Sequence, residues 1–174
     1  MDITEVILTQ HHRQRQAFAQ LDEIPRDDTA ALGAAWERLV VFLEVHAEAE
    51  ELFFYPEVLR LGEGPPGDDG PEDETEDAIK DHNEIRDGIR EAARHPVGSD
   101  AWWKGVRRAR MANSEHMAEE EDDDLMDFRL HADLQTRHDI AVKFLAFESA
   151  HGADGVALVD RDPEDYVEDP PHES

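Results

Sequence analysis

Apolar residues recur at helical spacing in four stretches of the chain. In the first, roughly Ile3 to Leu21, Ile3, Ile7, Phe18 and Leu21 fall on one side at about 100° per residue, and "DEIPRDDT" ends it. The second opens near Thr29, whose side chain can cap free amides, and carries Leu39 and Leu43 in line toward Phe53 and Phe54. Pro56 kinks or ends it. "GEGPPGDDGPEDE" (62–74) is the longest loop signal, because Gly and Pro both oppose regular structure. The third stretch, roughly Glu74 to Arg94, aligns Ala78, Ile85, Ile89 and Ala93, and "HPVGSD" stops it. The fourth opens behind Ser99 or Asp100 as cap and continues through "AWWKGVRRARMANSEHMAEEEDDDLMDF", with Trp102, Val106 and Ala109 in its stripe. A fifth, about Leu134 to Ala150, offers Leu134, Ala141 and Leu145 to the outside or end of the packed helices. Beyond Gly152 the chain is acidic and contains three prolines. The pattern therefore predicts a domain over 1–150 and a disordered tail over 151–174.

The stripes are interrupted by polar residues in a regular way. Leu39, Leu43, His46, Glu50 and Phe53 share one arc of the second helix, with His46 and Glu50 near its centre. The fourth helix repeats this: Trp102, Val106, Ala109, Asn113, His116 and Glu120 share an arc, again with His and Glu four apart. Residues at that spacing differ by about 40° around the axis and stack one above the other. The first and third helices each add a single histidine, His11 between Ile7 and Phe18 and His82 between Ala78 and Ile85.

Composition narrows what such residues can do. With 44 Asp plus Glu against 17 Lys plus Arg, the formal charge of -27 repels phosphate backbones, which speaks against nucleic acid as a partner. The absence of cysteine excludes disulfides, thiolate metal sites and thiol catalysis. No run of about 18 apolar residues is present to cross a bilayer, and "MDITEVILTQHHRQ" lacks the layout of a signal peptide, so a cytoplasmic location is expected.

Two inward carboxylates would each cost several kcal/mol if unpaired, or would shift their pKa values until neutral. A single buried histidine is commonly a hydrogen-bonded core residue, and HxxxE commonly an exposed pair. The set of His, HxxxE, His, HxxxE on four successive helices, all phased to the core, points instead to a metal. Its charge compensates the carboxylates and its bonds satisfy the imidazoles. Imidazole and carboxylate without sulfur favour iron, manganese or zinc. Six ligands on four helices suffice for two ions, a site that four-helix bundles commonly build.

At these residues the chain resembles the hemerythrin-like family, the HHE cation-binding domains, over roughly residues 1–130. The matching stretches are "LTQHHRQRQAFAQL", "EVHAEAEELFFYP", "IKDHNEIRDGI" and "SEHMAEEEDDDLMDF". The resemblance implies an all-α, up-down-up-down antiparallel four-helix bundle, with the fifth segment as an additional C-terminal helix. It also implies two iron ions in an oxo- or hydroxo-bridged centre, zinc or manganese being the less favoured ions. Glu50 and Glu120 would bridge, and His11, His46, His82 and His116 would be terminal ligands. His12 rivals His11, and Glu121 rivals Glu120; the core phase favours His11 and Glu120.

Two departures from the oxygen carriers of that family bear on function. They have a second histidine one turn after the third-helix ligand, where this chain has Arg86, and HxxxxD where this chain has HxxxE. A ligand-poorer site leaves room for water, peroxide or another side chain. Tyr55 is the candidate side chain: it points away from Glu50 on a straight helix, but Pro56 can turn the segment inward. Its alternative is an aromatic packing residue at a helix end. The resemblance therefore suggests binding, and reduction or disproportionation, of a small oxidant or gas such as hydrogen peroxide, nitric oxide or oxygen, with catalase- or peroxidase-like activity. The alternative is a non-enzymatic module that stores or senses oxygen or iron. His131 and His138 lack a carboxylate at matching spacing, and His95 and His172 lie in loop and tail. "EEEDDD" (119–124) is read as a mostly solvated face, and Trp102 and Trp103 as a plug at one end of the bundle.

Overall fold

The computed structural model describes residues 1–64 and 70–171; the centre of the 62–74 loop and His172 lie outside them. Among the described residues the chain is helical and has no strand. The elements are α1 (Ile3–Glu23), α2 (Thr29–Ala49), a π-helical turn (Glu50–Phe54), α3 (Tyr55–Leu61), α4 (Pro71–Ala93), α5 (Asp100–Asp122), α6 (Asp124–His131), α7 (Leu134–His151) and α8 (Pro163–Glu168). Side-chain caps set several starts. Asp2 accepts from the Thr4 amide at 3.1 Å, and Ser99 from the Trp102 amide at 3.1 Å. At α2 the cap is Asp28, accepting from the Ala31 amide at 3.0 Å, one residue before the expected Thr29.

The apolar core falls into two clusters. One gathers Ile3, Ile7, Ala49, Phe54, Tyr55, Val58, Ala78, Ile79, Leu125 and Phe128 with the inner face of α7. The other gathers Phe18, Leu21, Leu32, Trp36, Leu39, Leu43, Ile85, Ile89, Trp102 and Val106. His11, His46, His82 and His116 lie in sequence between the two sets, so the polar interruption of each stripe becomes one layer across the fold. The three tryptophans belong to the second cluster, where Trp102 meets Trp36 edge to face at 5.9 Å and Trp103 edge to face at 4.9 Å.

Helices α4 and α5 approach most closely, because glycine sits at the crossing on both. A Cβ at Gly88 would lie 2.4 Å from the Ala109 amide nitrogen, and one at Gly105 would lie 2.3 Å from that of Ala92. Both obstacles are backbone, which cannot swing aside. Gly105→Val is therefore expected to force the helices apart and to lower stability by about 1–3 kcal/mol or more, read as a fall in the urea midpoint.

Several expectations need correction. The fourth stretch does not run unbroken to Phe128: the backbone is distorted at Asp123 (φ -116°, ψ -73°), where α5 ends and α6 starts anew. Six successive acids at the negative end of a helix macrodipole oppose its continuation. In α7 the buried face is Arg137, Ile140, Ala141 and Phe144, while Leu134 is exposed. Within the tail expected to be disordered, the described residues from Leu158 to Glu168 are laid against α4 and the π-helical turn instead. Asp162 caps α8, and Tyr166 is only 4 % exposed. Its composition is acidic, but one buried aromatic and one arginine tie it down.

Candidate metal centre

The layer between the clusters brings the seven singled-out residues together. His11, Glu50, His116 and Glu120 each offer an atom within 4.8 Å of the others, and all four are buried. His46 Nε2 lies 2.8 Å from Glu50 Oε1, and His82 Nε2 lies 3.3 Å from Glu50 Oε2. His116 Nε2 is 3.8 Å from that same oxygen and 3.2 Å from His82 Nε2. On the other carboxylate, His11 Nε2 lies 3.1 Å from Glu120 Oε2, and the Tyr55 hydroxyl donates to Glu120 Oε1 at 3.2 Å. His12 is exposed and bonded to Gln16, whereas His11 has no exposure at all.

Tyr55 arrives there by a different device from a proline kink. Between Glu50 and Phe54 the helix widens to π geometry, and the Tyr55 amide donates to the Glu50 carbonyl five residues back. Pro56 has no amide proton and its ring crowds the carbonyl four residues back, so the wider turn relieves the clash while keeping the chain helical. The extra residue rotates everything after Glu50 by one position. Phe54 and Tyr55 turn fully inward, and Phe53, expected in the buried arc, is left half-exposed.

A second ring of side chains orients the imidazoles. His46 Nδ1 meets Gln10 Oε1 at 2.7 Å, His82 Nδ1 meets Glu51 Oε1 at 2.8 Å, and His11 Nδ1 meets Glu121 Oε1 at 2.9 Å. An acceptor at Nδ1 holds a proton there and turns the Nε2 lone pair inward, the arrangement that metal-binding histidines use. Glu121 is thus not a rival to Glu120 for the centre but a partner of His11 from outside. Arg86 is buried and does not enter the inner cluster. Its guanidinium donates to Glu44 at 3.2 Å and Glu51 at 2.8 Å.

Charge follows this geometry. Burial lowers the pKa of His11 and His82, but the adjacent carboxylates of Glu120 and Glu121, and of Glu50 and Glu51, outweigh it and carry each histidine up to about 9. His116 moves the other way, lowered by burial and by the neighbouring charge of His82. Burial pushes Glu51 up, yet its bond from His82 and the Arg86 and Arg161 charges hold it at about 2. Burial pushes the Tyr55 phenol well above its ordinary value, and the charges of Glu120 and Glu50 add to that.

The donor set fits metal ions by a direct criterion. His11 Nε2, His46 Nε2, both oxygens of Glu50 and Glu120 Oε2 are buried and have no hydrogen-bond partner among the described residues. They approach one another closely but out of hydrogen-bonding alignment. Five orphaned nitrogen and oxygen atoms aimed into one layer are costly unless a cation accepts their lone pairs.

Other residues stand apart from this cluster or were not foreseen. His131 has a carboxylate after all, Asp127 at 2.8 Å, and His138 meets the chain's amino terminus at 2.9 Å. Both lie outside the donor group. Within "EEEDDD", Asp124 as well as Glu120 is buried rather than solvated. Burial, then the charges of Glu120 and Glu74, push its carboxyl well up. Gln10 and Gln14 had a legible signal, since both occupy the Ile3–Ile7 stripe of α1. Glu51 had none, because it lies about 100° around the helix from Glu50, outside the arc of Leu39, Leu43 and His46.

An all-helical fold with a buried histidine and carboxylate cluster defines a metal-binding helical protein. The sequence model described as the hemerythrin HHE cation binding domain matches residues 2–126, and the chain belongs to that family. No curated protein and no solved structure matches the chain. No helix among the described residues is long and apolar enough to cross a membrane.

Proposed function

We propose that the protein is a non-haem diiron protein in which His11, His46, His82, His116, Glu50, Glu120 and Tyr55 hold two iron ions, and that it reduces or disproportionates a small oxidant, hydrogen peroxide or nitric oxide. The observation that carries this reading is the placement of Glu50. One oxygen faces His46 and the other faces His82 and His116, so a single carboxylate is offered to imidazoles from three helices, as a bridge between two ions requires. The helices are read as an up-down-up-down antiparallel bundle. In support, α1 and α4 pass in chain order from the first apolar cluster to the second, α2 passes from the second to the first, and α5 lies in the second and leads through α6 to the first.

Bound iron would supply Lewis acidity and pass on electrons, drawn from a second peroxide molecule in disproportionation or from a separate electron donor in reduction; the chain's own residues do the rest. Glu51, Gln10 and Glu121 keep protons on the outer imidazole nitrogens. The two apolar clusters exclude bulk water from either side. Since His11, Glu50 and Tyr55 have no exposed surface, the site favours diatomic or similarly small reactants over organic substrates. The Tyr55 hydroxyl, 3.2 Å from Glu120, can hold a proton at that carboxylate or bind ferric iron as phenolate.

Iron content together with a peroxide-consumption assay on the purified protein tests the reading. Two irons per chain with turnover support it, whereas two irons with reversible oxygen binding and no turnover assign a carrier instead. Tyr55→Phe refines the test. The variant is expected to fold with at most about 1 kcal/mol of lost stability, the worth of one hydrogen bond. Its ferric form should lack the visible phenolate band of the parent, and an unchanged spectrum removes Tyr55 from the ligand set.

A further inference from the structure

The family match ends at residue 126, yet the chain beyond it reaches back to the centre. The segment before α8 is held on α4 by Arg90, which donates to Asp160 at 2.8 Å and to the Leu158 carbonyl at 3.2 Å. Asn83 then grips the backbone of Arg161 on both sides, donating to its carbonyl at 2.7 Å and accepting from its amide at 3.2 Å. With its backbone fixed, Arg161 extends its guanidinium to Glu48 at 2.6 Å and, through Nε, to Glu51 Oε2. Tyr166 completes the grip by donating its hydroxyl to the Glu51 carbonyl at 2.5 Å. Glu51 is the residue whose other oxygen accepts from His82 Nδ1.

We infer that Arg161 and Tyr166 are positioning residues for the metal centre: by clamping the side chain and backbone of Glu51, the C-terminal segment fixes the ring orientation of His82 toward the ion it holds. Arg86 alone does not suffice, because it reaches Glu51 Oε1, the oxygen that also serves His82, and leaves Oε2 free to rotate the carboxylate away. The clamp also lies on the π-helical turn, so it restrains the segment that delivers both Glu50 and Tyr55. The inference rests on the metal reading above, and its test separates the two.

Full-length protein stripped of metal is titrated with Co(II), following bound equivalents and the visible bands of each. Arg161→Ala is expected to weaken one of the two equivalents by about tenfold or more, the usual effect of losing an outer partner of a metal-binding histidine. Arg161→Lys should recover part of the loss, and Tyr166→Phe should weaken the same equivalent to a smaller extent. Arg90→Ala, which loosens the segment but keeps both contacts to Glu51, should weaken that equivalent less than Arg161→Ala does. Equal binding in the parent, Arg161→Ala and Tyr166→Phe overturns the inference, as does a loss in Arg90→Ala equal to that in Arg161→Ala. If the parent takes up no cobalt, the metal reading itself has failed, and the proton on His82 Nδ1 decides the inference by nuclear magnetic resonance. Slow exchange in the parent and in Arg90→Ala, lost in Arg161→Ala, supports the clamp; the same exchange in all three overturns it.

Discussion

Glu50→Ala purifies without its metal complement, and its melting temperature no longer responds to added iron or to chelator. The expectation follows from the position of the carboxylate, which has no exposure and stands within 2.8 to 3.8 Å of three imidazoles. Removing it deletes the proposed bridge and also leaves imidazolium charge buried without its counter-ion. Truncating one partner of a buried pair costs roughly 3–5 kcal/mol, so the metal-free variant should also melt below the metal-free parent. Glu50→Gln keeps the volume and isolates the charge, and the same loss of metal is expected. The control is Glu57→Ala, whose partner Arg60 is a surface residue; such pairs contribute about 0–1 kcal/mol, and metal content should not change. Full metal and an unchanged melting temperature in Glu50→Gln would remove Glu50 from the centre.

The inner cluster was legible because each of its histidines and glutamates breaks an apolar stripe at a position where solvent cannot reach. His46 and Glu50 stand out against Leu39 and Leu43, and His116 and Glu120 against Val106 and Ala109, so helical period alone phases them inward. That logic fails where the period changes. The π-helical turn at Glu50–Phe54 shifts the later residues by one position, which leaves Phe53 half-buried and brings Tyr55 fully inward, and only the following proline hints at it. It fails again where a contact joins distant segments. Arg161 and Tyr166 lie in a stretch whose acidity and prolines argue for disorder, and nothing local reveals that Glu51, more than 100 residues earlier, is their partner. Composition reports what a segment can bury on average, and a single aromatic hydroxyl with one guanidinium is enough to overrule it.

Metal affinity should rise steeply with pH, while the metal-free protein becomes less stable over the same range. In the absence of metal, His11 and His82 are carried from an ordinary 6.5 to about 9 by their carboxylate partners. Their pairing therefore stabilises the fold fully below pH 6.5 and is lost as pH rises through 9. Glu51 and Glu121, held at about 2 against an ordinary 4.5, act at the other end: their contribution is present above pH 4.5 and disappears as pH falls through 2. The metal-free melting temperature is expected to be highest near pH 4.5 and to decline toward 9, the first part of the decline coming from the carboxyls of Glu44 and Asp81, raised by burial to about 7 and about 6. An ion held as proposed needs the Nε2 lone pairs of the same histidines, so its binding at pH 7 is expected to expel both protons. Two protons released make the association constant rise by roughly a hundredfold per pH unit between 7 and 8, flattening above 9. Competition titrations with Co(II) or Zn(II) at a series of pH values measure that slope, and calorimetry in buffers of different ionisation enthalpy counts the protons directly. A slope near zero across that interval would mean that His11 and His82 bind metal without losing a proton, and the pairing of each with two carboxylates would then not govern how the centre loads.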